Sequence, residues 1–199
     1  MRKFHYLLSG ALLCGMLALG GCGQTAADGG TLEPTADGSG TQGDSASSGV
    51  LSSFAATDLD GNAVDQSMLE GYDLTMVNVW ATFCGPCISE MPDLGALAQE
   101  YKDKGVQIVG LVSDVLDTDG SLNDTQVQTA RDIVAETGAA YPHLLPSDDL
   151  LGVLAQIQYV PTTFFVDSTG AQVGSAVISA QSRDKWVETI DAMLAEVQG

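Results

Sequence analysis

The sequence predicts an α/β fold in which a central mixed sheet is covered by helices on both faces. Apolar strand-like runs alternate with stretches of helical spacing along residues 50–199, a pattern typical of parallel strand pairs joined by crossover helices. The turn residues Ser168-Thr169-Gly170 separate two extended runs near the end, and such a late hairpin adds antiparallel strands at one edge. A pair of cysteines, Cys84 and Cys87, lies between an apolar run and a helical stretch.

The first elements of this domain are a hairpin and a buried strand. Turn-forming residues Asp58-Leu59-Asp60-Gly61-Asn62 lie between two short extended pieces, so Ser53 to Asp65 is predicted to form a small hairpin. The run Leu74 to Trp80 is almost entirely apolar, which indicates a strand covered on both faces.

A helix and a second strand follow. Apolar residues recur at Met91, Leu94, Leu97 and Tyr101. This spacing predicts a helix over Cys87–Lys104, with Pro92 early enough to kink the helix without ending it. Val106 to Val112 is predicted to be the next strand.

The second half of the domain repeats the alternation. Val127 to Thr137 has helical spacing, Tyr141 to Leu145 is a short candidate strand and Asp148 to Gln156 a short helix. Thr162 to Val166 and Gln172 to Ile178 are predicted strands. Apolar residues at Trp186, Ile190, Met193, Leu194 and Val197 predict a closing amphipathic helix.

The first 21 residues are predicted to be a secretory signal. Arg2 and Lys3 precede a short apolar run, Tyr6 to Leu19, that is too short for a comfortable membrane span. The run ends in Leu19-Gly20-Gly21-Cys22, which resembles a bacterial lipobox, so Cys22 is expected to carry lipid and become the first mature residue. A plain signal with an incidental cysteine is the alternative.

Residues 22–49 are predicted to be the lipidated N-terminus and a flexible linker, and residues 50–199 a single domain. The linker consists mainly of Gly, Ser, Thr, Ala, Asp and Gln, which cannot bury enough apolar surface to become ordered. The remaining 150 residues are enough for one hydrophobic core.

The chain is strongly acidic. Seven Lys and Arg face 26 Asp and Glu, a formal charge of −19, and loss of Arg2 and Lys3 with the signal would make it −21. A polyanion such as nucleic acid would be repelled, which excludes nucleic-acid binding. Anionic head groups would be repelled as well, so membrane attachment would depend on the acyl chains on Cys22.

The cysteine count favours redox chemistry. Cys14 leaves with the signal and Cys22 is expected to be lipidated, so Cys84 and Cys87 remain. A disulfide between them would close a tiny loop that adds little stability, which favours turnover over bracing. A structural zinc site needs four ligands, whereas the mature chain offers these two cysteines and His143. At the start of a helix, free backbone N–H groups and the helix dipole stabilise the thiolate that attacks disulfides.

The chain resembles the thioredoxin superfamily and, within it, the TlpA/ResA-like membrane-anchored thiol-disulfide oxidoreductases. The resemblance covers essentially residues 51–197. It rests on Asp60-Gly61, the run from Val77 to Cys87, Glu90-Met91-Pro92, and the run from Tyr159 to Asp167 with Gly170. It implies a thioredoxin fold with an N-terminal hairpin and a TlpA-type insertion, and no cofactor beyond the Cys84–Cys87 disulfide.

The resemblance also implies roles for individual residues. Cys84 would attack the partner disulfide and Cys87 would resolve the mixed disulfide. Pro161 would be a cis-proline that faces the dithiol, so that it and Val160 contact a bound substrate strand; an ordinary trans turn is the alternative. Gly85 and Pro86 are the thioredoxin dipeptide and would lie under the substrate. Trp80 and Phe83 would flank the site, although both fit equally as core and rim aromatics.

Glu90 is the candidate acid of the site. The resemblance implies that Glu90 manages the protons of the dithiol, since TlpA/ResA-like proteins have a glutamate three residues past the second cysteine; at this spacing Glu90 shares the helix face of Cys87. A solvated carboxylate near a helix start is the alternative. Thioredoxins carry a buried aspartate where this chain has Asn78, which leaves Glu90 as the candidate acid.

The acidic segment Asp114 to Gln126 lacks the spacing of a calcium loop and is expected to be a solvated loop.

The expected function is that of an exported, lipid-anchored disulfide reductase outside the cytoplasm, since Gly85-Pro86 is typical of reducing members. Its partners would be an integral-membrane thiol donor and client proteins with disulfides, such as apocytochrome c or a methionine sulfoxide reductase. Two alternatives remain: a peroxiredoxin-type thiol peroxidase, and a non-enzymatic surface lipoprotein with a structural disulfide. No proline precedes the site at the spacing that a peroxiredoxin needs.

Overall fold

The structure, a computed structural model, describes residues 49–199. The expected signal over residues 1–21, the lipidation site Cys22 and the linker up to residue 48 lie outside the described residues. Strands and helices are numbered in chain order. The strands are β1 (Ala55–Thr57), β2 (Ala63–Asp65), β3 (Leu74–Trp80), β4 (Val106–Val112), β5 (His143–Leu144), β6 (Thr162–Asp167) and β7 (Gln172–Ile178); the helices are α1 (Gly85–Tyr101), α2 (Asp124–Thr137), α3 (Asp148–Leu154) and α4 (Arg183–Gln198).

β1 and β2 form the expected antiparallel hairpin as a separate two-stranded sheet. The carboxylate of Asp58 accepts hydrogen bonds from the backbone N–H groups of Asp60 and Asn62, which closes the turn. A short 3-10 helix, Gln66–Leu69, follows; its first turn is capped by Asp65. The sequence pattern did not predict this helix.

The main sheet has five strands in the order β5-β4-β3-β6-β7. β3 pairs in parallel with β4, and β4 in parallel with β5, whereas β6 and β7 add two antiparallel strands. This confirms the mixed α/β sheet that the alternation of elements predicts. The central strand β3 is buried along its whole length.

The core lies on both faces of this sheet. Successive residues of a strand point to opposite faces. Accordingly Met76 and Trp80 of β3 pack with the side chains of α1, α2 and α4, while Val77 and Val79 pack with those of α3 and the first residues of the domain. The dithiol belongs to the first of these two layers.

Helix α1 begins at the dithiol and runs through Pro92 without interruption. A 3-10 turn, Lys102–Lys104, ends it, and Gly105 at φ 83° supplies the left-handed residue that stops the helix. Within residues 49–199, no helix is long and apolar enough to cross a membrane.

Candidate active site

The two cysteines lie where the central strand gives way to a helix. β3 ends at Trp80, three residues form the connection, and Cys84 is the N-cap of α1. Cys84 and Cys87 are joined by a disulfide, with their Cα atoms 5.3 Å apart. The side chain of Cys84 is 5% exposed and that of Cys87 is fully buried. Of the two cysteines, Cys84 is therefore the one that retains accessible surface.

The start of α1 holds the sulfur of Cys84 in place. The backbone N–H of Cys87 points at Cys84 Sγ over 3.2 Å, and Pro86 occupies a first-turn position where no N–H is needed. A sulfur at this position faces the free N–H groups and the positive end of the helix dipole. The same geometry stabilises a thiolate once the disulfide is reduced.

The connection before Cys84 is held by Asp114 and Ser113. The backbone N–H of Thr82 and its hydroxyl both donate to the Asp114 carboxylate, the hydroxyl over 2.6 Å. The carbonyl of Trp80 accepts from the backbone and the hydroxyl of Ser113. The expectation of a solvated loop over Asp114 to Gln126 is therefore wrong at its start, because Asp114 is half-buried and binds the connection before Cys84, and Val115 is fully buried. It is wrong at its end as well, because residues 124–126 belong to α2.

Glu90 is buried, with 3% of its surface exposed. Its Oε1 accepts from the amide of Asn78 at 3.1 Å, and its Oε2 accepts from the Trp186 indole and from the backbone N–H of Gln181, each at 3.1 Å. The alternative of a solvated carboxylate is therefore wrong. Burial raises the pKa of Glu90 above its usual range, and the three hydrogen bonds oppose this rise.

Asn78 lies fully buried on β3 and connects two elements of the site. Besides its bond to Glu90, its amide donates to the hydroxyl of Thr163 on β6 over 2.9 Å. The side-chain oxygen Oδ1 of Asn78 has no hydrogen-bond partner among the described residues. The amide thus takes the position of the thioredoxin aspartate as a donor, and the ionisable group beside it is Glu90.

Trp80 is fully buried and offers no surface to a substrate, which corrects the expected substrate contact. Its indole N–H donates to Nδ1 of His143 over 3.2 Å, and Nε2 of His143 faces the carbonyl of Ala139 at 3.1 Å. The Tyr141 ring lies 4.4 Å from the imidazole, centre to centre. Burial lowers the pKa of His143 to about 4, so the ring is neutral near pH 7.

Phe83 and Tyr159 form the exposed rim of the site. Phe83 is 77% exposed and Tyr159 is 66% exposed, and both line one shallow hollow together with Val160. Phe83 fits the expected position beside the dithiol. Tyr159 was not singled out as a site residue, because nothing in its local sequence distinguishes an exposed tyrosine from an ordinary surface residue.

The Val160–Pro161 peptide bond is cis, as the resemblance implies. In the antiparallel pairing of β3 with β6, Val79 lies opposite Thr162, so Pro161 reaches the end of the sheet where β3 leads into the connection to Cys84. The carbonyl of Pro161 accepts from the backbone N–H of Ser179. Gly85 and Pro86, which separate the two cysteines, are exposed.

Comparison with known proteins identifies the family. The sequence model of the Redoxin family matches residues 41–173 of this chain. The chain belongs to the Redoxin family. Together with the thioredoxin fold and the Cys84–Cys87 disulfide, this makes it a ResA/TlpA-like member of the thioredoxin superfamily and a thiol-disulfide oxidoreductase.

Curated relatives of this Redoxin-family protein carry the same activity in their names. It is 28% identical over 132 residues to the thiol-disulfide oxidoreductase ResA of Bacillus anthracis, which covers 66% of this chain and 69% of the relative. It is 34% identical over 113 residues to ResA of Oceanobacillus iheyensis, covering 57% of this chain and 53% of the relative. Thioredoxin-like oxidoreductases use a cysteine pair and need no further cofactor.

Solved structures show the same fold. A thiol:disulfide interchange protein of Chlorobium tepidum superposes with a TM-score of 0.59 at 24% identity, covering 71% of this chain and 93% of that one. A secreted disulfide oxidoreductase of Mycobacterium tuberculosis gives a TM-score of 0.55 at 22% identity, covering 70% of this chain and 95% of that one.

In the part of this Redoxin-family chain that the structure describes, no cluster of His, Cys, Asp and Glu could hold a metal ion.

Proposed function

We propose that this protein is an exported, lipid-anchored reductase that opens disulfides of proteins outside the cytoplasm through Cys84-Gly85-Pro86-Cys87. The observation that carries the proposal is the disulfide between Cys84 and Cys87 at the start of α1. Of these two cysteines, only Cys84 retains exposed surface. A bridge across two intervening residues adds little to folding stability, so its position at a helix start favours a role in exchange.

The exchange proceeds in two displacements. In the reduced protein, the thiolate of Cys84 attacks one sulfur of the client disulfide, and the other client sulfur leaves as a thiolate. The thiolate of Cys87 then attacks Cys84 Sγ, which restores the intramolecular disulfide and releases the second client thiolate. Two electrons pass to the client, whose two sulfurs take up two protons. A dithiol donor must then return the two electrons.

Glu90 is proposed as the acceptor of the Cys87 proton. It lies one helical turn beyond Cys87, it is buried, and burial raises the pKa of its carboxyl, which favours the proton-bound form. Asn78, Gln181 and Trp186 hold the carboxylate by donated hydrogen bonds. These donors are proposed as positioning groups, because each donates a hydrogen bond to the Glu90 carboxylate.

The client strand is proposed to lie across Phe83, Val160 and Pro161. No hydrogen bond joins the backbone of Val160 to another described residue, so its N–H and carbonyl remain available to pair with an extended client segment. Gly85 and Pro86 add no bulky side chain over the disulfide. Val160 packs against the buried cluster that contains Trp80.

The cellular setting is proposed from the sequence. The basic start, the short apolar run and Cys22 within a lipobox-like segment support export and lipid attachment. The Gly85-Pro86 dipeptide favours the reducing direction, with electrons supplied by an integral-membrane thiol donor. Apocytochrome c and a methionine sulfoxide reductase are candidate clients.

Trapping the mixed disulfide tests the proposal. In a Cys87→Ser variant the resolving sulfur is absent, so Cys84 should remain linked to its client and yield an adduct that a reducing agent releases. A Cys84→Ser variant, which keeps Cys87, serves as the matched control and should yield none. Absence of adducts from Cys87→Ser, or equal adducts from both variants, would contradict the proposal.

A further inference from the structure

Exposed apolar side chains of this domain are concentrated on one surface. Six large apolar residues of the described chain have more than a third of their surface exposed: Val50, Phe83, Leu122, Leu151, Tyr159 and Ile178. Four of the six line two adjoining hollows: Phe83 one, Val50 and Ile178 the other, and Tyr159 both. Contiguous exposed apolar surface of this kind marks interaction sites.

The two hollows share Ile157, Gln158 and Tyr159, so they form one groove. Its first part, about 320 Å³, begins at Phe83 beside the dithiol. Its second part, about 360 Å³, lies over the strand β7 between Ile178 and Gln172. We call the whole depression the β7 groove.

The β7 groove has the dimensions of an extended peptide. Ile178 pairs with Thr162, next to Pro161, so the groove is continuous with the client surface at the dithiol. From Ile178 to Gln172 the strand advances six residues, roughly 20 Å at the usual rise per residue. A client segment that lies in the groove would therefore extend about six residues beyond the client cysteine whose sulfur reacts.

Pairing along the free edge of β7 is a less suitable arrangement. β7 is the last strand of the sheet among the described residues, but its pairing with β6 shifts register between Thr163 and Phe165. Gly174, within β7, has φ +59°. Such irregularities interrupt an edge and disfavour strand addition. The exposed side chains of β7, next to the buried strand β6, form the surface left for a partner.

Charge decides which segments fit. The whole chain carries −19, and none of the five Lys and Arg of residues 49–199 lines the groove. These five residues are Lys102, Lys104, Arg131, Arg183 and Lys185. Lys102 and Lys104 follow the end of α1 that is opposite to the dithiol, and Arg183 and Lys185 are paired with Glu100 and Glu188. An acidic segment would meet no compensating cation there.

We propose that the β7 groove binds an extended segment of the client next to its disulfide, and that it selects apolar segments with basic and not acidic side chains. This inference rests on the proposed reductase function and specifies its substrate class. Apolar residues of the segment would cover Tyr159 and Ile178, and Lys or Arg would meet the negative potential of the domain.

Matched disulfide peptides test the proposal. The long probe is a 13-residue peptide of alternating valine and lysine with a central cysteine that is disulfide-linked to a short reporter thiol. The short probe keeps one residue on each side of the cysteine, and the acidic probe replaces each lysine by glutamate. The kcat/KM for reporter release is measured with the dithiothreitol-recycled protein. For the wild type, the long probe should exceed both the short and the acidic probe by about tenfold.

Variants locate the effect. Tyr159→Ser and Ile178→Ser should each lower the ratio of long-probe to short-probe kcat/KM about fivefold. Leu151→Ser is the control, since Leu151 is 42% exposed but does not line the groove, and it should keep the wild-type ratio. Equal kcat/KM for all three probes, or an equal loss of the long-to-short ratio in Leu151→Ser, would overturn the proposed binding in the groove but leave the reductase function intact. Failure to reduce any probe would instead overturn the reductase function and this inference with it.

Discussion

Replacing His143 by glutamine tests how the buried imidazole that contacts Trp80 links stability to pH. The ring accepts the Trp80 indole N–H, faces the Ala139 carbonyl and stacks near Tyr141. His143 is 3% exposed, and His5, the other histidine of the chain, lies in the predicted signal. The effect of histidine protonation on this domain can therefore be assigned to one residue.

The magnitude follows from the pKa of His143, which burial lowers from 6.5 to about 4. Between these values the unfolded chain binds a proton that the folded protein does not, so the free energy of unfolding falls as pH falls. This stability is complete above pH 6.5 and is lost down to about pH 4. At about 1.4 kcal/mol per pH unit, the loss reaches about 2 kcal/mol at pH 5 and about 3 kcal/mol at pH 4.

Urea denaturation of the wild type and of His143→Gln between pH 7 and pH 4 measures this. Burial raises the pKa of Glu90, and ionisation of Glu90 therefore destabilises the fold as pH rises, the opposite sign. The difference between the two proteins at each pH cancels this contribution. We expect that difference to shift by about 2 kcal/mol in favour of the variant from pH 7 to pH 5. A difference independent of pH would refute the reasoning.

Three further changes test the site. Glu90→Gln should slow oxidation of the dithiol by a peptide disulfide about tenfold or more at pH 7 in rapid-quench assays, because the proton acceptor is lost; an unchanged rate would contradict its role. Trp186→Phe removes a donor to Glu90, so the pKa of Glu90 should rise further in a carbon-13 NMR titration. Gly110→Ala would push a Cβ into the imidazole of His143 and should cost about 2 kcal/mol in urea denaturation, whereas Gly152→Ala meets open space and should cost none.

The local pattern of apolar, polar and turn residues was sufficient to predict most of the fold. The predicted bounds of β3, β4 and β7 agree with the structure, because long apolar or alternating runs between turn residues specify strands. β5 is shorter than predicted, with only His143–Leu144 in the sheet. Helix α4 starts at Arg183, ahead of its first apolar residue, and Ser182 as N-cap is the local signal for this start.

The site was only partly predictable, because its contacts join distant segments. The spacing of Cys84 and Cys87 indicates a dithiol, but the indole that holds Glu90 is 96 residues away and the imidazole under Trp80 is 63 residues away. Contacts between residues so far apart in the sequence cannot be predicted from local composition. Asp114 was likewise assigned to a solvated loop, because an acidic, turn-rich segment has the same composition whether or not one carboxylate binds Thr82.

Reduction of insulin by dithiothreitol, followed as turbidity, tests the central claim most directly. The purified domain over residues 50–199 should accelerate precipitation of the insulin B chain at least tenfold over dithiothreitol alone, and Cys84→Ser should abolish the acceleration. A wild-type domain that leaves the rate unchanged, or a Cys84→Ser variant that accelerates it equally, would contradict the account that the Cys84–Cys87 pair exchanges with client disulfides.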